Sequence, residues 1–125
     1  TKSGFIGVET GVRLLMTAVA QGKMTIQEYA RVSSEGPARV YGLWPRKGRL
    51  AVGADADITI VETGTPRVID ADQLHSRARV TPFDGVAVSA QVTHTFVRGT
   101  LVAQDGKIVS APTGHDVRQP TPGKG

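Results

Sequence analysis

Apolar positions along the first third of the chain recur at the spacing of a helix. Between Glu9 and Gln21 they fall at Val12, Leu15, Met16 and Val19, steps of three and four residues that draw one stripe along an amphipathic helix, and Gly22 offers a left-handed stop just beyond. Thr25 followed by Glu28 has the form of a capping box, in which hydroxyl and carboxylate each satisfy a free amide at a helix start. A second helix is therefore expected from there to about Ser34. Gly36 and Pro37 should break it, with Pro37 in the first turn of a short third helix, Ala38 to Tyr41, closed by Gly42. Three helices this short have little room for a core of their own.

Beyond Pro45 the pattern changes to short β-branched runs bounded by Gly, Asp and Pro. Asp57 to Val61, Arg67 to Ile69, Val92 to Val97 and Thr100 to Ala103 read as strands. Arg98 and Gly99 turn one pair, and Asp105 and Gly106 the next before Lys107 to Val109, which makes a meander of small antiparallel pieces. From Ala111 onward there is no period, and the prolines and glycines there point to loose or extended chain. The expected organisation is a helical part over 1–45, strands over 46–110 and a tail over 111–125.

The chain has 125 residues, room for one domain, and its 39% hydrophobic and 21% charged content is that of a globular protein. No apolar run approaches the ~20 residues of a membrane span, and no charged start with an apolar stretch marks a secretion signal. A soluble, unprocessed, cytoplasmic chain is the expectation. The absence of cysteine excludes disulfides, thiolate catalysis and cysteine-ligated zinc. The net charge of +4 is uneven, since residues 1–50 carry eight basic side chains against three acidic ones. These cations are dispersed with no aromatic ladder between them, so solvated faces or an acidic neighbour account for them better than nucleic acid does.

The candidate chemistry is sparse. A hydrolytic metal centre needs several converging His or carboxylate ligands, and neither HxH nor HExxH occurs. His75 falls in an inter-strand loop, His94 in a strand and His115 in the tail, each read as a solvated or hydrogen-bonded side chain. Asp55 and Asp57 lack the ligand set of a calcium loop and suit the turn that launches a strand. GxSxG, GxGxxG and the P-loop are absent. The segment Gly4 to Thr10, GFIGVET, is a glycine-bearing loop entering the first helix. Its amides could face a ligand, with Glu9 well placed in the first helical turn, or it could be a plain strand-to-helix turn.

GFIGVET with the following amphipathic helix resembles the loop and helix that close the TIM barrel of dihydroorotases. GPARVYGLWPRKGRLAVGADADITIV resembles the run by which dihydroorotases, allantoinases, hydantoinases and dihydropyrimidinases leave the barrel for a flanking β-sandwich, and TPFDG with VTHTFVRGTLVAQDG resembles the last strands of that sandwich. The resemblance implies an α+β fragment: the last helices of a TIM-barrel metallohydrolase, then antiparallel strands of a composite sandwich with open edges. A whole barrel takes about 250 residues, so only its end fits here. The family's HxH pair, bridging lysine, later histidines and catalytic aspartate all precede the GVET loop, so the resemblance implies neither catalytic nor metal-binding residues in this chain. It implies zinc or another divalent metal, in a binuclear centre, for the parent enzyme, which would hydrolyse a ring amide with metal-bound hydroxide. Carried over residue by residue, Gly4 falls where the loop backbone contacts the ring, flanked by Phe5 and Ile6, while Glu9 takes a structural role. The implied partners are the remainder of the barrel, a small cyclic amide and further copies of the enzyme, with neither nucleic acid nor membrane. A hydantoinase, dihydropyrimidinase or allantoinase segment, or a noncatalytic assembly module related to these enzymes, is the alternative.

Overall fold

Thr25 and Glu28 start a helix as their spacing predicts. In the computed structural model, which describes residues 4–117, the Glu28 amide donates to Thr25 Oγ1 at 3.1 Å and the Thr25 amide to Glu28 Oε2 at 2.7 Å. The Thr25 amide and the Thr25 hydroxyl, which also donates to Oε2 at 2.8 Å, together hold the Glu28 carboxyl below its ordinary range. The first helix, α1 (Val8–Ala20), precedes this cap, and α2 (Ile26–Ala30) follows it.

The expected break at Gly36 and Pro37 does not occur. Instead α2 runs through a π turn, Arg31–Glu35, into α3 (Gly36–Val40). Pro37 has no N–H for a carbonyl one turn back, and its ring would collide with that carbonyl in a regular α-helix. Widening the preceding turn absorbs both effects without ending the helix. After α3 the amides of Leu43 and Trp44 converge on the Ala38 carbonyl, and the guanidinium groups of Arg39 and Arg49 lie over the Trp44 ring, 4.0 and 5.4 Å from its centroid. The chain then returns so closely beneath the π turn that a Cβ at Gly48 would stand 2.6 Å from the Ala38 Cβ.

Four antiparallel strands follow in the order β1 (Ile58–Val68), β2 (Ala87–Val97), β3 (Thr100–Gln104), β4 (Lys107–Ile108). Each pairs with the next in sequence, so the sheet is the expected meander. Two expectations merge: Asp57 to Val61 and Arg67 to Ile69 belong mostly to one strand, β1, with register shifts against β2 between Ile60 and Val61 and between Thr63 and Arg67. The bulged stretch contains Gly64 at φ +96° and Pro66, residues that suspend regular pairing without ending the strand. β2 begins well before Val92 because the small residues Val88 and Ala90 are buried where the sheet meets α1.

The core lies at that junction. Met16 of α1, Val88 and Ala90 of β2, and Ile69, Ala71 and Leu74 of the intervening segment are its buried apolar members, Ile69 being fully enclosed. α1 turns Thr10, Met16 and Thr17 inward, while Leu15 of the predicted apolar stripe stays exposed. Buried threonines are tolerated because their hydroxyls are bonded: Thr17 Oγ1 donates to the Arg13 carbonyl at 2.6 Å and accepts the Ser89 amide at 3.0 Å, fastening helix to sheet. No helix among the described residues is long and apolar enough to cross a membrane. Residues 111–117 carry no regular structure, and the Arg98 guanidinium donates to the Thr113 carbonyl. Residues 1–3 of the expected helical part and 118–125 of the expected tail lie outside the described residues.

Candidate functional site

The glycine loop ahead of α1 is open on one side and fastened on the other. Gly4 sits at φ +95°, a conformation that favours glycine, and a Cβ built there would meet nothing within 4 Å. Its glycine thus answers to the backbone angle and not to crowding by the described residues. Phe5 is 65% exposed. Ile6 is pinned to the irregular stretch ahead of β2: its amide donates to the Val80 carbonyl at 3.4 Å and its carbonyl accepts the Thr81 hydroxyl at 3.3 Å. Among the described residues the amides of Gly4 and Phe5 have no backbone acceptor. Of the three residues singled out, then, Gly4 and Phe5 present free polar backbone, while that of Ile6 is committed to the fold.

TPFDG supplies the anchor. Thr81 is buried, and besides bonding Ile6 its Oγ1 accepts the Phe83 amide at 3.3 Å. Asp84 Oδ1 accepts the Ala71 amide at 2.9 Å, and Gly85, at φ +76°, donates to the Ile69 carbonyl at 2.9 Å. This turn therefore clamps the buried Ile69 segment on one side and the glycine loop on the other.

A second fastening lies two residues beyond Gly7. Glu9 Oε2 accepts the His75 amide at 2.8 Å while Oε1 meets His75 Nδ1 at 2.7 Å. The hydrogen bond and charge of Glu9 raise the His75 pKa, and the Gly106 backbone adds to the rise. Gly4 to Glu9, His75, Ser76, Ala78 and Ile108 border one shallow surface groove, so the clasp forms part of its wall. Sequence reading left Glu9 structural and His75 bonded or solvated. Their pairing, 66 residues apart, has no local signal, whereas the TPFDG anchor was already conspicuous as a motif.

The remaining candidates stay apart. His94 Nδ1 lies 3.1 Å from Thr93 Oγ1 with its ring stacked toward Phe96, and His115 is exposed. Asp55 and Asp57 are spoken for by cations: Lys47 Nζ bonds both, Arg46 Nε reaches Asp55 at 2.9 Å, and Asp57 Oδ1 takes the Arg98 amide at 2.9 Å. The hydrogen bond from Lys47 pulls the Asp55 carboxyl down, and at Asp57 that bond, with the Arg98 amide, outweighs partial burial. Burial works against the Lys47 cation, yet the two carboxylates leave its pKa raised. This is the turn that launches β1, as read from the sequence. Among the described residues no group of three or more His, Asp or Glu could hold a metal ion.

Comparison with known proteins matches residues 4–102 to the model of the amidohydrolase family. The chain is 36% identical over 108 residues to an L-hydantoinase of Paenarthrobacter aurescens, covering 86% of this chain and 24% of that protein. It is 44% identical over 117 residues to a dihydroorotase of Halobacterium salinarum, covering 94% and 27%. The solved L-hydantoinase (dihydropyrimidinase) from Arthrobacter aurescens superposes with a TM-score of 0.84 at 35% identity, over 88% of this chain and 25% of that one. The chain thus spans about a quarter of the length of the relatives it matches.

Proposed function

The chain belongs to the amidohydrolase family, and from that premise we propose that it is the C-terminal portion of a longer, dihydroorotase-like cyclic amidohydrolase that opens a ring amide C–N bond. In this reading the helical part, 1–45, closes the catalytic barrel, the strands of 46–110 belong to a flanking sandwich, and 111–125 is a tail. Gly4, Phe5 and Ile6 face the ring. The glycine loop carries the proposal: it offers two amides with no backbone acceptor among the described residues, beside an exposed aromatic ring, and is held from behind through Ile6. Such a loop suits a small planar ring bearing carbonyl oxygens, since amides can donate to those oxygens while Phe5 packs on the ring's apolar faces. Ile6 then contributes by holding the loop, because its own amide and carbonyl are occupied.

The zinc or other divalent metal implied by the resemblance finds no fitting donor set among the described residues, so no catalytic step is assigned to them. Their share is binding and scaffolding, and the remainder of the barrel, as partner, would hold the reacting centre. A hydantoin or dihydropyrimidine is the second reading of the substrate, favoured by the 36% identity to an L-hydantoinase. Ring-opening assays of the full-length enzyme against dihydroorotate, hydantoins and dihydropyrimidines decide between them. Turnover of dihydroorotate above the others is expected, and turnover of no cyclic amide overturns the proposal.

A further inference from the structure

The glycine loop has two tethers, and both end on the same stretch of chain. Ile6 bonds Val80 and Thr81, and Glu9 bonds the amide and ring of His75. Loop and segment therefore close a ring of covalent and hydrogen-bonded links, and moving His75 relative to α1 tilts the loop that bears Gly4 and Phe5. The His75 ring meets the Glu9 carboxylate, its Nδ1 lying 2.7 Å from Oε1. An imidazolium makes that bond charge-assisted, whereas a neutral imidazole offers the carboxylate no opposite charge. Protonated His75 thus joins the first turn of α1 to its own segment.

Resting on the proposed substrate role of the loop, we infer that Glu9 and His75 are positioning residues, whose clasp sets the Gly4–Ile6 geometry for the ring substrate and tightens when His75 is protonated. The charged groups sharing the adjoining groove with His75 are Glu9 and Arg13 on α1, Arg67 on β1, Asp70 on its own segment, and Asp105 and Lys107 at the β3–β4 turn. On the far side of its segment Arg79 donates to the Asp72 carbonyl at 3.4 Å. Glu9 is the carboxylate bonded to the ring, so the proton on His75 is felt first at the helix start, two residues from Gly7. Neither residue touches substrate in this inference. Both act through the loop backbone.

The test uses the full-length enzyme with Glu9→Gln, His75→Gln and, as a reference for the loop itself, Phe5→Ala. Glu9→Gln should raise KM for the ring substrate about three- to tenfold, the size of one ordinary net hydrogen bond, with kcat within about twofold. Wild-type KM should rise as pH climbs past the raised His75 pKa and the ring loses its proton, and His75→Gln, which cannot titrate, should flatten that rise near the high-pH value. A lowered kcat with unchanged KM in Glu9→Gln, or an undiminished pH slope in His75→Gln, overturns the inference. If Glu9→Gln does not fold, the His75→Gln profile decides alone. A raised KM in Phe5→Ala beside unaltered clasp variants sinks the clasp and spares the loop, whereas an unaltered KM in Phe5→Ala sinks both.

Discussion

Replacing Gly48 by alanine should destabilise the chain well beyond the same change at Gly53, and the difference measures how tightly the chain returns beneath the π turn. Both glycines have positive φ, +85° and +87°, so each substitution carries the left-handed strain of an L residue, about 1 kcal/mol. At Gly53 the new methyl meets nothing within 4 Å. At Gly48 it would lie 2.6 Å from the Ala38 Cβ, 2.8 Å from the Ser34 carbonyl oxygen and 3.2 Å from the Glu35 Cα. None of these atoms is the far end of a flexible side chain, so the helix itself must shift, at a cost of about 1 to 3 kcal/mol for an overpacked site. The expected penalties are therefore about 2 to 4 kcal/mol at Gly48 and about 1 at Gly53. Urea titration followed through Trp44, the single tryptophan, reports on this region directly. Equal midpoints for the two variants would refute the close packing of Gly48 against the π turn.

Ile69→Ala empties the fully enclosed position of the core and should cost about 2 to 5 kcal/mol, read as a lowered unfolding midpoint with unchanged slope. Lys47→Met should destabilise most at neutral pH. The Asp55 and Asp57 pKa values are depressed, so their share of stability is present above about pH 4 and fades as acid protonates them. The raised Lys47 pKa keeps the cation's share until about pH 10 is passed, so wild type and variant should converge toward both extremes in pH-dependent melts. The chain on its own is expected to bind neither zinc nor manganese stoichiometrically and to hydrolyse neither dihydroorotate nor hydantoins. Elemental analysis with a ring-opening assay checks this, and metal-loaded turnover would refute the scaffold role. Exposed Val40, Tyr41, Leu50 and Val52 should drive self-association of the isolated chain, visible as a concentration-dependent mass in light scattering.

Local rules carried the elements that depend on near neighbours. The capping box at Thr25 and Glu28, the extent of α1, and the turns at Arg98–Gly99 and Asp105–Gly106 all involve residues a few positions apart, where hydroxyls, carboxylates and left-handed glycines act on adjacent backbone. The glycine loop is likewise legible as a loop entering a helix, since its glycine spacing and the helix that follows are written in consecutive residues. Motif resemblance then pointed to a cyclic amidohydrolase, and the match over residues 4–102 bears that family out.

Tertiary structure decided what local rules could not weigh. Whether Pro37 ends a helix or is absorbed by a wider turn depends on the chain packed beneath it at Gly48, and whether Glu62 to Pro66 separates two strands or bulges one depends on β2 alongside. Which face of α1 is buried was settled by the sheet, because Thr17 finds the Ser89 amide and threonine can then replace an apolar side chain inside. The Glu9–His75 clasp and the Ile6–Thr81 tether bring together residues 66 and 75 positions apart. A hydrogen bond acts over about 3 Å of space, whatever the distance along the chain. The sequence therefore determined which segments could bend, cap and pair, and only the packed chain determined which distant groups would meet.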